Sequence, residues 1–358
     1  MLVLRAGRYL KPVVNARTLR DVSDRKRKPV QFMKRCSIQK RRLFSLFVPF
    51  ILPFVVMSQL PPKTDQADPY AIRTKVDLVV LHATVRDGKG TPISGLGKDN
   101  FQVYEDKIPQ QIESFSHEDL PVTIGLVIDA SGSMRPKRAN VTSAAMAFVR
   151  SSNPQDQIFV VNFNEHVLMA LPPNLPFTSD TAQLQTALSR HANSGMTALY
   201  DAITLGIGQL QQGKWDKKVL IVVSDGGDNA SKRSLPQVLS LVNQSNVLIY
   251  TVGIFDEADE DRNPRILKQL SRASGGESFF PATLQEILPI CEQIAHDIRN
   301  QYTITFAPTN KKEDGAYRKI EVKVHDAAGG GRLSVSTRAG YSATANLHPS
   351  EKATEKQP

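Results

Sequence analysis

The chain has 358 residues, 41% of them hydrophobic and 7% aromatic, enough for roughly two domains of ordinary size. Its formal net charge of +10 points toward nucleic acid only until the charge is located. Residues 1–42 hold 14 Lys and Arg against 2 acidic residues, and the rest carries 31 basic and 33 acidic residues. No basic face is therefore expected on the folded part, and nucleic acid is excluded as a partner.

The basic arm runs into LFSLFVPFILPFVVMSQ, residues 43–59. That is the length of a signal peptide's apolar region and short for a spanning helix of ~20 residues. Lys40, Arg41 and Arg42 stand directly before it, and Val56 and Ser58 are small enough for the −3 and −1 positions before a cleavage site. The stretch from Met33 reads by itself as a signal peptide of about 33–58, and residues 1–32 as an over-long start that adds nothing to the fold. An uncleaved N-terminal anchor is the alternative. Either way the remainder is expected outside the cytoplasm, secreted or periplasmic. Cys36 falls in this segment, and Cys291 recurs with Leu284, Ile287, Leu288, Ile294 and Ile298 at helical spacing, the position of a core residue. With one thiol left, no intrachain disulfide is expected.

After a polar linker (60–69) the character turns to β. TKVDLVVLHATVR (74–86) leads to a hairpin turn at DGKG (87–90), and FQVYEDKIPQQIESFS (101–116) has the same texture of short strands and turns. From Pro121 apolar runs alternate with helical periodicities. GLVID is followed by a helix near 138–151, IFVVNF by a strand near 166–171 and helices near 180–191 and 198–212. VLIVVSD precedes a helix near 235–245, VLIYTVGI one near 264–273, and SFF a long helix from about 283 to 299. One helix carries the stripe Val141, Ala144, Ala145, Phe148 and Val149, another Leu199, Ala202, Ile203, Ile207 and Leu210. This alternation predicts an α/β fold, a doubly wound and mostly parallel sheet with helices on both faces. From Gln301 the β rhythm returns, and residues 344–358 read as a disordered tail. Neither β flank has strands enough for a core of its own. Segments 70–118 and 300–343 are therefore expected to pair into one small β-sandwich with the 119–299 domain inserted between them.

The motifs lie where such a sheet collects its ligands, at the carboxyl ends of the strands. Asp129, Ser131 and Ser133 follow the first strand in VTIGLVIDASGSM; Thr197 opens a helix in SGMTALYDAI; Asp225 ends a buried strand in VLIVVSDGGDN. For any one of these a turn or helix-cap role accounts as well. Together they gather two carboxylates and three hydroxyls, hard oxygen donors with no thiolate or imidazole. That set suits Mg²⁺, with Mn²⁺ or Ca²⁺ as substitutes. Two negative charges only balance a divalent ion, so an open position would favour a carboxylate brought by a partner. Asp228 and Asp201 fit turn, cap or helix-dipole roles and stay outside the set.

DASGSM, GMTALYDA and VVSDGGDN, in this order, resemble the metal-ion-dependent adhesion site of von Willebrand factor type A domains over about residues 119–299. The flanks, GLGKDNFQVYEDKIPQQIESFS and RKIEVKV, resemble more loosely a group of secreted bacterial proteins related to that domain. The resemblance implies a Rossmann-like fold, an ion held by the serines with Thr197 or the aspartates, directly or through water, and an acidic residue of a protein ligand completing its contacts. A hydrolase is disfavoured: there is no GxSxG elbow, no HExxH, and the seven histidines are scattered. P-loop and GxGxxG motifs are likewise missing from the sequence. The expectation is an exported, non-catalytic adhesion module, the alternatives being a structural envelope module that keeps the site unused, or a hydrolase.

Overall fold

A computed structural model describes residues 78–190, 195–255, 262–325 and 333–343. The expected signal segment, the linker and the tail at 344–358 lie outside the described residues. Within them the chain is α/β, as the alternation predicts, with a mostly parallel central sheet and flanking antiparallel sheets.

The central sheet takes its strands from β5 (Thr123–Asp129), β6 (Gln157–Phe163), β7 (Val167–Met169), β8 (Lys218–Ser224), β9 (Val247–Gly253) and β10 (Ser278–Phe279). Their order is β10-β9-β8-β5-β6-β7, parallel throughout except for β7. β5 and β9 are buried at every residue, because helices cover both faces and leave no solvated side for polar residues to occupy. Those helices are α1 (Arg138–Ser151), α2 (Thr181–Ser189), α3 (Leu199–Leu210), α4 (Leu235–Gln244), α5 (Pro264–Ser274) and α6 (Ile287–Arg299). The stripes read on α1 and α3 are the buried ones. α6 begins later than its periodicity suggested, after a 3-10 turn at Leu284–Glu286, and packs along α1. Cys291, Ile287, Ile294 and Ile298 are buried there, whereas Leu288 is 40% exposed. It follows Ile287 by one residue, about 100° around the helix, and so falls off the buried stripe.

The flanks pair with each other across the whole α/β unit. β1 (Val79–Arg86), β2 (Phe101–Glu105), β3 (Ile108–Gln110) and β4 (Ile112–Ser116) come before it. β11 (Tyr302–Phe306), β12 (Tyr317–Val324), β13 (Ser334–Ser336) and β14 (Gly340–Ser342) come after it. They form two four-stranded sheets, β13-β1-β11-β4 and β14-β12-β2-β3, each drawing strands from both sides. Their shared core includes Leu81, Val103, Tyr302, Ile304, Phe306, Ile320 and Tyr341, all buried. β12 alternates exposed and buried along its length, as a sheet with one solvated face requires. The DGKG turn forms, with Gly90 N–H donating to Asp87 O at 3.0 Å, but no hairpin strand follows it. The returning chain makes a single bridge, Arg86 to Pro92, with Ile93 N–H donating to Val85 O at 2.8 Å, beyond the stretch of β1 that pairs with β11.

The outward face of β1 meets the α/β unit. Arg86 donates to Asp297 at 2.6 Å and Glu277 at 2.8 Å, and Gln301 Nε2 to Thr84 Oγ1 at 3.2 Å and Tyr250 OH at 2.9 Å. Arg338 Nη2 donates to Asn243 O and Nη1 to Asn246 Oδ1, both at 3.0 Å, and Arg299 pairs with Asp119 and Asp156. Asp156, Lys217 and Asn246 each directly precede a parallel strand. The sandwich therefore sits at the amino ends of the sheet, and the carboxyl ends are turned away from it. Burial, and then the charges of Lys217 and Arg338, push the His82 imidazole in this junction down to about 3.

Candidate metal centre

β5 delivers Asp129 to the carboxyl edge with only 1% of its surface exposed. The carboxylate is fixed at both oxygens: Oδ1 accepts from Ser131 N–H at 2.8 Å and Oδ2 from Ser224 Oγ at 2.7 Å. The chain then turns through Ser131, whose hydroxyl lies 3.2 Å from that of Ser133. Ser133 Oγ donates to Asp225 Oδ2 at 2.5 Å, and Asp225 Oδ1 accepts from Gly227 N–H at 3.0 Å. β5 and β8 are neighbours, with Ile128 opposite Val223, so the two strands end at the same edge with Asp129 beside Ser224 and Asp225 one residue beyond. Asp129, Ser131, Ser133 and Asp225 thus form one hydrogen-bonded cluster.

Thr197 is brought to the same edge through its backbone. Its N–H donates to Asn229 Oδ1 at 2.7 Å, and its carbonyl accepts from Asn229 N–H at 3.0 Å and Ala230 N–H at 3.1 Å, in the loop that follows Asp225. On the other side Gly132 N–H donates to Gly195 O at 3.4 Å, tying this segment to the Ser131–Ser133 turn. Two glycines make these approaches sterically feasible. Gly195 has φ +110° and a Cβ there would lie 1.8 Å from Glu165 Oε2, while Gly226 has φ +80° and its Cβ would lie 2.5 Å from Asn263 O.

Electrostatics distinguish this cluster from an ordinary turn. Burial first, and the neighbouring charge of Asp225 second, push the Asp129 carboxyl up to about 6, against the hydrogen bonds of Ser131 and Ser224 that favour its charged form. Two carboxylates held together out of water call for a compensating cation. The donors, carboxylate and hydroxyl oxygens alone, fit a hard divalent ion. Among the described residues no group of three or more His, Cys, Asp and Glu side chains assembles as a metal cage, and here only two carboxylates meet, the other donors being hydroxyls.

The acids left outside the set have other work. Asp228 Oδ2 accepts from Tyr200 N–H at 2.9 Å and Ser231 Oγ at 2.6 Å, holding the start of α3, and Asp201 Oδ2 accepts from Lys232 N–H at 2.9 Å. The His166 side chain is exposed, and it is the backbone N–H that donates to Asn164 Oδ1, at 2.8 Å. Three residues escaped the sequence reading. Ser224 reads as the last member of an apolar strand, and nothing in VLIVVSD tells which way its hydroxyl turns. Asn229 sits in a loop where any polar residue would be unremarked. Glu165 accepts from Met196 N–H at 2.9 Å beneath Gly195, a contact between segments 31 residues apart.

Residues 123–289 match the family model described as von Willebrand factor type A domain. The uncharacterized protein sll0103 of Synechocystis sp. is 25% identical over 187 residues, which cover 51% of this chain and 42% of that protein. The chain therefore spans about two-fifths of the length of that relative. Among solved structures, a von Willebrand factor type A protein from Catenulispora acidiphila superposes with a TM-score of 0.46 at 14% identity, covering 76% of each chain. Proximal thread matrix protein 1 from the mussel byssus, with a zinc-occupied metal-ion-dependent adhesion site, gives 0.45 at 17% identity over 54% of this chain and 49% of its own.

Proposed function

We propose that this chain, whose residues 123–289 constitute a von Willebrand factor type A domain, is an exported, non-catalytic binding module that docks an acidic group of a protein partner through a divalent cation. One observation carries the reading: two buried carboxylates, Asp129 and Asp225, share a hydrogen-bonded cluster with the Ser131 and Ser133 hydroxyls at the sheet's carboxyl edge. In this reading Asp129, Ser131, Ser133, Thr197 and Asp225 hold the ion. Mg²⁺ is the first candidate, with Mn²⁺ or Ca²⁺ as substitutes, because the donors are hard oxygens. The carboxylates only balance its charge and the hydroxyls are neutral, so the bound ion retains attraction for a further anionic oxygen. The sandwich, at the opposite edge, would carry the module without covering this face.

Export is proposed from the basic arm and the apolar segment at 43–59; an uncleaved segment would keep the module at a membrane surface. Among the described residues no helix is long and apolar enough to cross a membrane.

Affinity capture from envelope and extracellular extracts, run with Mg²⁺ and again with EDTA, tests the docking role. A protein recovered with Mg²⁺, released by EDTA and not retained by Asp129→Ala supports it. The same protein retained in EDTA would move the contact to the sandwich and overturn it.

A further inference from the structure

Ser224 lies at the carboxyl end of β8, with no surface exposed, one residue before Asp225. Its hydroxyl oxygen accepts from Gly226 N–H at 3.0 Å, which leaves its own proton for Asp129 Oδ2 at 2.7 Å. Asp129 is thereby held on both sides, since Ser131 N–H occupies Oδ1 at 2.8 Å. A carboxylate with a donor fixed on each oxygen cannot turn about its terminal bond without breaking one of those hydrogen bonds. The Ser224 backbone is equally fixed. Its carbonyl accepts from Ile254 N–H at 3.1 Å, and the Ile254 carbonyl accepts from Lys137 Nζ at 3.0 Å, at the end of the turn that carries Ser131 and Ser133. Asp129, Ser224, Ile254 and Lys137 are thus linked in one chain of contacts along the edge.

We infer that Ser224 is a positioning residue for the cation proposed above: it orients the Asp129 carboxylate and, through Gly226, ties that orientation to the turn presenting Asp225. The inference rests on the metal reading. Removing the buried hydroxyl takes from Asp129 Oδ2 the donor at 2.7 Å that fixes it and loosens the orientation of the carboxylate. Groups that orient metal-binding side chains in this way alter metal affinity by about 10–100-fold when removed.

The test is calorimetric titration of Mn²⁺ into the full chain, for wild type, Ser224→Ala, Ser224→Cys and Ser224→Thr, with the metal-free melting temperature of each recorded alongside. Ser224→Ala should bind at least about tenfold more weakly, Ser224→Cys should be weakened in the same direction through its poorer donor, and Ser224→Thr should stay within about threefold of wild type. Should Ser224→Ala fail to fold, Ser224→Cys carries the comparison. A purely structural serine would lower the metal-free melting temperature and leave affinity unmoved; that result, or Ala and Cys variants binding like a wild type that binds, overturns the inference alone. A wild type that takes up no Mn²⁺ removes the metal reading and this inference with it.

Discussion

Arg86 of β1 and Asp297 of α6, 211 positions apart in the chain, meet Nη2 to Oδ2 at 2.6 Å, and Asp297 is almost wholly buried at that contact. Burial raises the Asp297 carboxyl, and the Arg86 guanidinium opposes the rise by favouring the charged form. Replacing Arg86 by Met leaves that carboxylate buried and unpaired, which typically costs about 3–5 kcal/mol. Chemical denaturation should show a loss of that order, and Arg86→Met/Asp297→Leu should recover much of it.

Gly226→Ala and Gly208→Ala should move stability in opposite directions. At Gly226 a side chain meets φ +80° and the Asn263 carbonyl at 2.5 Å, so a loss of about 1–3 kcal/mol is expected. Gly208 lies in α3 with nothing within 4 Å of its would-be Cβ, so alanine there should gain about 0.5–1 kcal/mol from helix propensity. Thermal melts of the two variants check both.

His82 should make the protein acid-sensitive. Its folded-state pKa is lowered to about 3 from 6.5, so between those values the unfolded chain holds the proton and the folded chain does not. The stabilisation is complete above about 6.5 and falls as pH drops toward 3. Melting temperatures from pH 7 to pH 4 should decline less steeply for His82→Asn than for wild type.

Much of this architecture was legible because it is periodic. α1 and α3 bury the stripes that a repeat of 3.6 residues selects, and the apolar runs ending in Asp129 and Asp225 announce strands whose next residues must lie at the carboxyl edge. Leu288 shows the limit of that reading, since an apolar residue one step off a stripe looks like a member of it. Individual side-chain contacts over long separations were not legible, although the pairing of the two β flanks was. Arg86 reads as a polar residue before a turn, and only the fold brings it to Asp297 and Glu277. Ser224 was hidden for the same reason, its partner Asp129 being 95 residues away.

Asp129→Asn should separate charge from shape. The amide keeps an acceptor for Ser224 and relieves the repulsion from Asp225, but it sets its NH₂ against the Ser131 N–H, so each protein's metal-free melting temperature serves as its own baseline. Wild type should gain stability with divalent ion, about 2.7 kcal/mol at a hundredfold excess over Kd, and the variant should gain almost none.

The most direct measurement of the metal centre is calorimetric titration of Mg²⁺ and Mn²⁺ into wild type, Asp129→Ala and Asp225→Ala. Saturable uptake of about one ion by wild type, abolished or weakened at least a hundredfold in both variants, is the result expected of two carboxylates sharing one cation. Heats that are negligible for all three proteins, or equal among them, would contradict it.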